Sequence, residues 1–153
     1  MRPRIIEMLE ERGIGYRLLH LPEHAYTVDD VVRLAGVERR EVCKTILLMG
    51  RESGGPLLVI VPGDRRMNIA KIEEIVGERL RFARPEEIKE ITGYEMGALP
   101  PYGHKRQIRT IVDRSLLEQE RVNFGSGRHD LGVEIRAEDL SKITRFEVEE
   151  IST

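Results

Sequence analysis

A chain of 153 residues, 40% hydrophobic and 34% charged, is long enough for one soluble globular domain with a real core. Its formal net charge of −2 argues against a nucleic-acid coat protein but leaves room for a local basic patch. No apolar run approaches the roughly 20 residues of a membrane helix. The start Met1-Arg2-Pro3-Arg4-Ile5-Ile6-Glu7 lacks a signal-peptide pattern, and the lone Cys43 excludes an internal disulfide, so the expected compartment is the cytoplasm, with no membrane contact.

Along the chain, Ile5, Ile6, Met8 and Leu9 predict an amphipathic helix over residues 3–12, closed by Gly13. Residues 16–20 read as a short strand ended by Pro22. Thr27, followed by Val28, Asp29 and Asp30, is an N-cap with acids in the first turn of a second helix, which Gly36 ends. Residues 42–49 and 57–61 are apolar strands joined by a Gly54-Gly55 hairpin turn, and their composition predicts cover on both faces. Asn68 caps a helix that runs to Gly77, and residues 80–83 form a short strand. Pro85 opens a helix that stops at Gly93. Strands are expected at 108–113, 131–136 and 146–149, with a short helix over 137–143 and a glycine-bearing turn from Gly125 to Asp130. The elements interleave without strict βαβ repetition. The expected fold is therefore α+β, a mixed or barrel-like sheet with helices outside it, as a single domain over residues 1–153.

Two features carry chemistry. The loop from Gly93 to Lys105 holds Gly97, Gly103 and the adjacent Pro100 and Pro101, which exclude a regular helix or interior strand. Such a stiff loop leaves main-chain N–H groups outside any ladder, where they suit a phosphate or an oxyanion; an ordinary long connection is the alternative. Lys44 sits mid-way in an apolar strand, on the parity of Val42, Ile46 and Leu48 and opposite Cys43, Thr45, Leu47 and Met49. A lysine there snorkels, finds a carboxylate or faces a wet pocket. Cys43 reads as a small core residue rather than a nucleophile. No metal cage is recognisable, because Pro22 spoils the helical spacing of His20 and His24 and the cysteine stands alone. Gly50 to Pro56 ends in proline where a P-loop needs lysine.

Five segments in order resemble the YbaK/prolyl-tRNA-synthetase-associated editing domain family. They are His24-Ala25-Tyr26-Thr27, Val42-Cys43-Lys44-Thr45-Ile46-Leu47, Val61-Pro62-Gly63-Asp64-Arg65-Arg66-Met67-Asn68, Gly97-Ala98-Leu99-Pro100-Pro101 and Gly125-Ser126-Gly127-Arg128-His129. Tyr26 ahead of Thr27, and Leu99 where a small or polar residue is common, depart from the family pattern and bear on the amino-acid pocket.

The resemblance implies a barrel-like mixed sheet and hydrolysis of the ester joining a wrong amino acid to the terminal ribose of tRNA. It implies Lys44, Gly97, Ala98 and Pro101 as catalytic positions. Tyr26, Thr27, Thr45, Leu99, Gly125, Ser126, Gly127, His129 and Asp130 are the implied substrate contacts. Arg65, Arg66, Lys105, Arg106 and Arg128 would grip the tRNA acceptor end. No cofactor or metal is implied, since an activated ester needs a placed water and oxyanion donors, with the substrate's own ribose hydroxyl helping to activate the water. The implied partners are aminoacyl-tRNA and, secondarily, an aminoacyl-tRNA synthetase. The competing readings are a catalytically silent tRNA- or synthetase-binding module and a small-ester hydrolase.

Overall fold

The two most apolar runs of the sequence pair as an antiparallel hairpin, and the remaining elements are laid against it. The computed structural model describes residues 2–102 and 105–153; Gly103 and His104 of the glycine–proline loop lie outside the described residues. In chain order the elements are α1 (Arg4–Glu11), β1 (Arg17–His20), α2 (Val28–Ala35), β2 (Cys43–Gly50), β3 (Pro56–Pro62), α3 (Ile69–Val76), β4 (Leu80–Phe82), α4 (Pro85–Thr92), β5 (Arg109–Asp113), β6 (Arg121–Gly125), β7 (Leu131–Arg136), α5 (Leu140–Ile143) and β8 (Glu147–Glu149). Among the described residues no helix is long and apolar enough to cross a membrane.

The strands form a five-stranded sheet of order β4-β2-β3-β5-β8 and a three-stranded sheet of order β1-β7-β6. In the larger sheet β2 is antiparallel to β3 and β4, whereas β3–β5 and β5–β8 are parallel, so the expected mixed sheet is present. It does not close into the barrel-like form the sequence suggested. An isolated bridge between Val42 and Asn123 joins the two sheets, while the whole of β6 pairs antiparallel with β7.

Each face of the hairpin is covered. Leu48, Val59 and Val61 meet Ile72 of α3 on one side; Leu47, Met49 and Leu58 meet Ile88 of α4 and Leu99 on the other. Further along that second side, Cys43 and Ile60 join α1, α5 and the inner face of the small sheet. Val28, Val31, Val32 and Ala35 of α2 lie with Leu19 and Val42 at the outer face. Thr27 begins α2 with a capping box: its hydroxyl accepts from Asp30 N at 3.1 Å. The Asp30 carboxylate in turn accepts from the main-chain N–H groups of Tyr26 and Thr27 at 3.0 and 3.3 Å. Those bonds, Tyr26's first, hold the Asp30 carboxyl below its usual range and pin the approach to the helix.

The turn from β4 to α4 is fixed in the same manner. Arg81 donates twice to Glu87, at 2.7 and 2.8 Å, and Glu87 also accepts from Arg84 N at 2.9 Å. These bonds, Arg81's above all, draw the Glu87 carboxyl from an ordinary 4.5 to about 2. A carboxyl with a lowered folded pKa contributes stability that is full above the unfolded value and lost as pH falls through the folded one. Part of the fold's stability is therefore expected to disappear between pH 4.5 and about 2, and Glu87→Gln should flatten the thermal midpoint's pH dependence in that window. An unchanged profile in the variant would remove this clamp from the account.

Candidate active site

The hydrogen-bond parity of β2 leaves a gap in its outer edge. Gly63 N donates to Val42 O and Gly50 N to Gly55 O, both at 2.9 Å, so the even-numbered residues of β2 turn their peptide groups toward β3. Ala83 N donates to Leu47 O at 3.0 Å and Arg51 N to Arg79 O at 2.8 Å, so the odd-numbered residues face β4. Strand β4 stops at Phe82, and Pro85 starts α4. In the other direction, Val42 bridges to Asn123 of β6. Thr45 lies between these two partners, and among the described residues no strand pairs with it on that side. Its main-chain N–H and C=O therefore face a cleft of about 1030 Å³ that it helps to line.

Lys44 projects from the face that α3 covers, beyond the apolar patch that ends at half-buried Ile46. It is exposed, lines the cleft, and among the described residues its ammonium has neither an ion-pair nor a hydrogen-bond partner. Cys43 on the opposite parity is buried, and burial pushes its thiol up to about 12, where almost no thiolate exists near neutral pH.

The glycine–proline loop reaches the cleft through Gly97. This residue has φ +90, and a Cβ there would stand 3.0 Å from the main-chain oxygen of Tyr26 and 3.6 Å from His129 Nε2. No side chain fits the position without strain. The Gly97 N–H has no hydrogen-bond acceptor among the described residues. His129 Nε2 lies 3.1 Å from Met96 O, and its ring centroid is 4.6 Å from that of Tyr26. With Nε2–H donating to Met96 O, Nδ1 carries the free lone pair.

The late glycine turn clamps this loop from behind. Gly127 N donates to Ala98 O at 2.9 Å, and a Cβ on Gly125 would stand 2.7 Å from the same oxygen.

Of the positions singled out in the sequence, Tyr26, Thr27, Lys44, Thr45, Arg65, Arg66, Gly97, Leu99, Gly125, Arg128 and His129 all line this one cleft. Others stand behind it. Ala98 is buried and its N–H, expected as an oxyanion donor, is bonded to Glu95 O at 3.2 Å, because the turn at Gly97 closes on it. Pro101 is buried. Ser126 is fully buried and donates to Leu131 O at 2.6 Å, and Gly127 packs against Tyr94. Asp130 is taken up by Arg128 through bonds of 2.9 and 2.8 Å, which hold its carboxyl below the usual range. Lys105 and Arg106 are exposed but do not line the cleft; Lys105 N donates to Thr92 O at the end of α4. Among the described residues no group of three His, Cys, Asp or Glu side chains is placed to hold a metal ion.

Asn123 is one of the lining residues that sequence reasoning passed over. It is 2% exposed, and its Nδ2, like Thr45 Oγ1, is buried without a hydrogen-bond partner. An unsatisfied buried amide costs about 1–3 kcal/mol. Both residues line the cleft, at the seam where the bridge between Val42 and Asn123 joins the two sheets. The available signal was a lone amide between the apolar Val122 and Phe124.

Comparison with known proteins places this cleft in context. The model of the aminoacyl-tRNA editing domain matches residues 22–143. The proline–tRNA ligase of Thermodesulfovibrio yellowstonii is 35% identical over 119 residues, covering 78% of this chain and 20% of the ligase, so the chain spans about a fifth of that relative. The multifunctional Ser/Thr-tRNA deacylase ProXp-y of Escherichia coli (strain K12) is 24% identical over 149 residues, 95% of this chain and 89% of the relative. A crystal structure described as a candidate trans-editing enzyme for prolyl tRNA synthetase superposes with a TM-score of 0.86 at 28% identity, over 98% of this chain and 96% of that one.

If Asn123 serves the cleft, Asn123→Val should fold with a thermal midpoint at or above that of the wild type, since it removes an orphaned donor. A fall of several degrees would show that the amide holds the fold instead.

Proposed function

The chain belongs to the aminoacyl-tRNA editing domain family, and on that premise we propose that it is a deacylase acting as one editing domain, in trans, on tRNA carrying the wrong amino acid. One observation supports this most strongly: the cleft gathers donors and cations that nothing else in the fold uses. The Lys44 ammonium and the Gly97 N–H have no partners among the described residues, and the Thr45 N–H faces the gap in β2.

In the proposed reaction, water attacks the ester carbonyl carbon, the carbonyl oxygen becomes an oxyanion, and the bond to the ribose oxygen breaks, freeing the amino acid. The ester is already activated, so the protein's work is placement and charge stabilisation. Gly97 N–H is the oxyanion donor, supplemented by the Thr45 N–H at the strand edge. Lys44 supplies a point charge at the carbonyl or the terminal phosphate. His129, with Nε2 on Met96 O and Nδ1 free, and Tyr26 beside it orient the acyl group or the water. The vicinal ribose hydroxyl of the substrate helps to activate that water. Thr27 shapes the rim while capping α2, and Leu99 and Gly125 bound the acyl pocket. Ala98, Pro101, Ser126, Gly127 and Asp130 act from behind as supports of the loop and of Arg128. Arg65 and Arg66 meet the acceptor-end phosphates, with Lys105 and Arg106 as more distant electrostatic attraction. Aminoacyl-tRNA is the partner this requires, a synthetase is the second, and the cytoplasm is the compartment.

Lys44 gives the sharpest test. Lys44→Ala should lower the deacylation rate by about 10²-fold or more, the scale of losing a group that stabilises the oxyanion. Its thermal midpoint should hold, because an exposed, unpaired lysine contributes within about 0.5 kcal/mol. Lys44→Arg should recover only part of the rate, a planar guanidinium being a poor copy of a point charge. Gly97→Ala should lose activity on the same scale. A folded Lys44→Ala protein with wild-type turnover would refute the mechanism, and a silent binding module would show no turnover to lose.

A further inference from the structure

Among the described residues three large hydrophobic side chains are exposed: Tyr26 at 58%, Phe82 at 60% and Met96 at 58%. All three line the same cleft. Scattered exposed apolar groups are ordinary, but three that border one cleft mark a binding surface. Phe82 is the least expected. It ends β4, the outermost strand of the larger sheet, and edge strands usually carry charge or proline rather than a bare aromatic ring. It lies opposite Leu48, on the parity of Ile46 and Lys44, so its ring stands on the face of β2 from which the unpaired ammonium projects.

The charge around these rings selects the occupant. Arg66 is exposed, and its guanidinium has no partner among the described residues; Arg65 is tied only to the neutral Ser152, through Oγ at 2.7 Å and the carbonyl at 3.0 Å. Both line the cleft with Lys44, Arg39 and Arg128, five cations against the carboxylates of Asp64 and of Asp29, the latter paired with Arg39. An aromatic face on a cleft whose charge is mainly positive suits a stacked base with its phosphates alongside, the arrangement that single-stranded nucleic acid takes on proteins. We infer that Phe82 is a stacking platform for an unpaired base at the 3′ end of the tRNA. The inference rests on the cleft being a tRNA-end site and assigns Phe82 a role in binding, not in the chemistry.

The test uses uncharged tRNA, so that it stands apart from ester cleavage. Affinity is measured for an intact tRNA and for the same tRNA lacking its last three nucleotides, at low and high salt. Phe82→Ala should weaken binding of the intact tRNA about 10-fold. The factor should be similar at both salts, because stacking releases no counterions, and it should vanish on the truncated tRNA. Phe82→Tyr should bind as the wild type does. Arg66→Ala should instead weaken binding at low salt and flatten the salt dependence. Equal losses on the two tRNAs, or no loss on the intact one, would overturn the inference. So would a change of oligomeric state in Phe82→Ala with tRNA affinity unaltered, which would make the ring a protein contact. A wild-type protein that shows these differences but has no deacylase activity would count against the proposed reaction and leave the platform standing.

Discussion

The site depends on β2 being longer than its outer partner. Strand β4 covers Leu48 to Gly50 and then ends, because Pro85 cannot continue a ladder and is already committed to α4. On the other flank β6 touches β2 through the bridge at Val42 and otherwise belongs to β7. Between the two partners Thr45 keeps a main-chain donor and acceptor with no strand to join. A strand interior is a rigid place to hold such groups, since the β3 ladder fixes Lys44 and Ile46 on either side. The Arg81–Glu87–Arg84 clamp belongs to the same arrangement, for it sets where β4 turns away.

Around that gap the cleft is lined by five cationic side chains, Arg39, Lys44, Arg65, Arg66 and Arg128, against two carboxylates, Asp29 and Asp64. Asp29 is paired with Arg39, and Asp130, behind the cleft, with Arg128; among the described residues Lys44, Arg66 and the Gly97 N–H have no partner, and neither does the exposed Asp64 carboxylate. A surface with that excess of positive charge attracts phosphate. The late glycine turn supports this by function of shape. Gly125 lets its backbone approach Ala98 O, Gly127 N holds that oxygen, and Gly97 is kept against Tyr26.

Much of this was legible in the sequence, and the failures have physical causes. Thr27, Asn68, Pro85, Gly36, Gly77 and Gly93 mark helix ends, and the structure places them as caps, first-turn proline and left-handed stops. Strand parity separated Lys44 from Cys43 correctly. Closure of the sheet was beyond sequence patterning, because it turns on whether β2 and β6 stay together past Val42. The free edge at Thr45 depends on register between strands more than thirty residues apart. Ala98 looked like a donor beside Gly97, but a main-chain N–H is free only if the local turn leaves it so, and here Glu95 O takes it. Asn123 drew no reading because the sequence shows only a lone amide between Val122 and Phe124; its burial and its unpartnered Nδ2 come from the packing of β6.

Hydrolysis of aminoacyl esters on tRNA is the activity proposed for this cleft. The most direct measurement incubates the wild-type protein with a panel of tRNAs, each charged with a correct or an incorrect amino acid, and follows release of the free amino acid. The account predicts that at least one incorrectly charged tRNA loses its ester far faster than by spontaneous hydrolysis, while correctly charged tRNAs are spared. No acceleration on any member of the panel would contradict it.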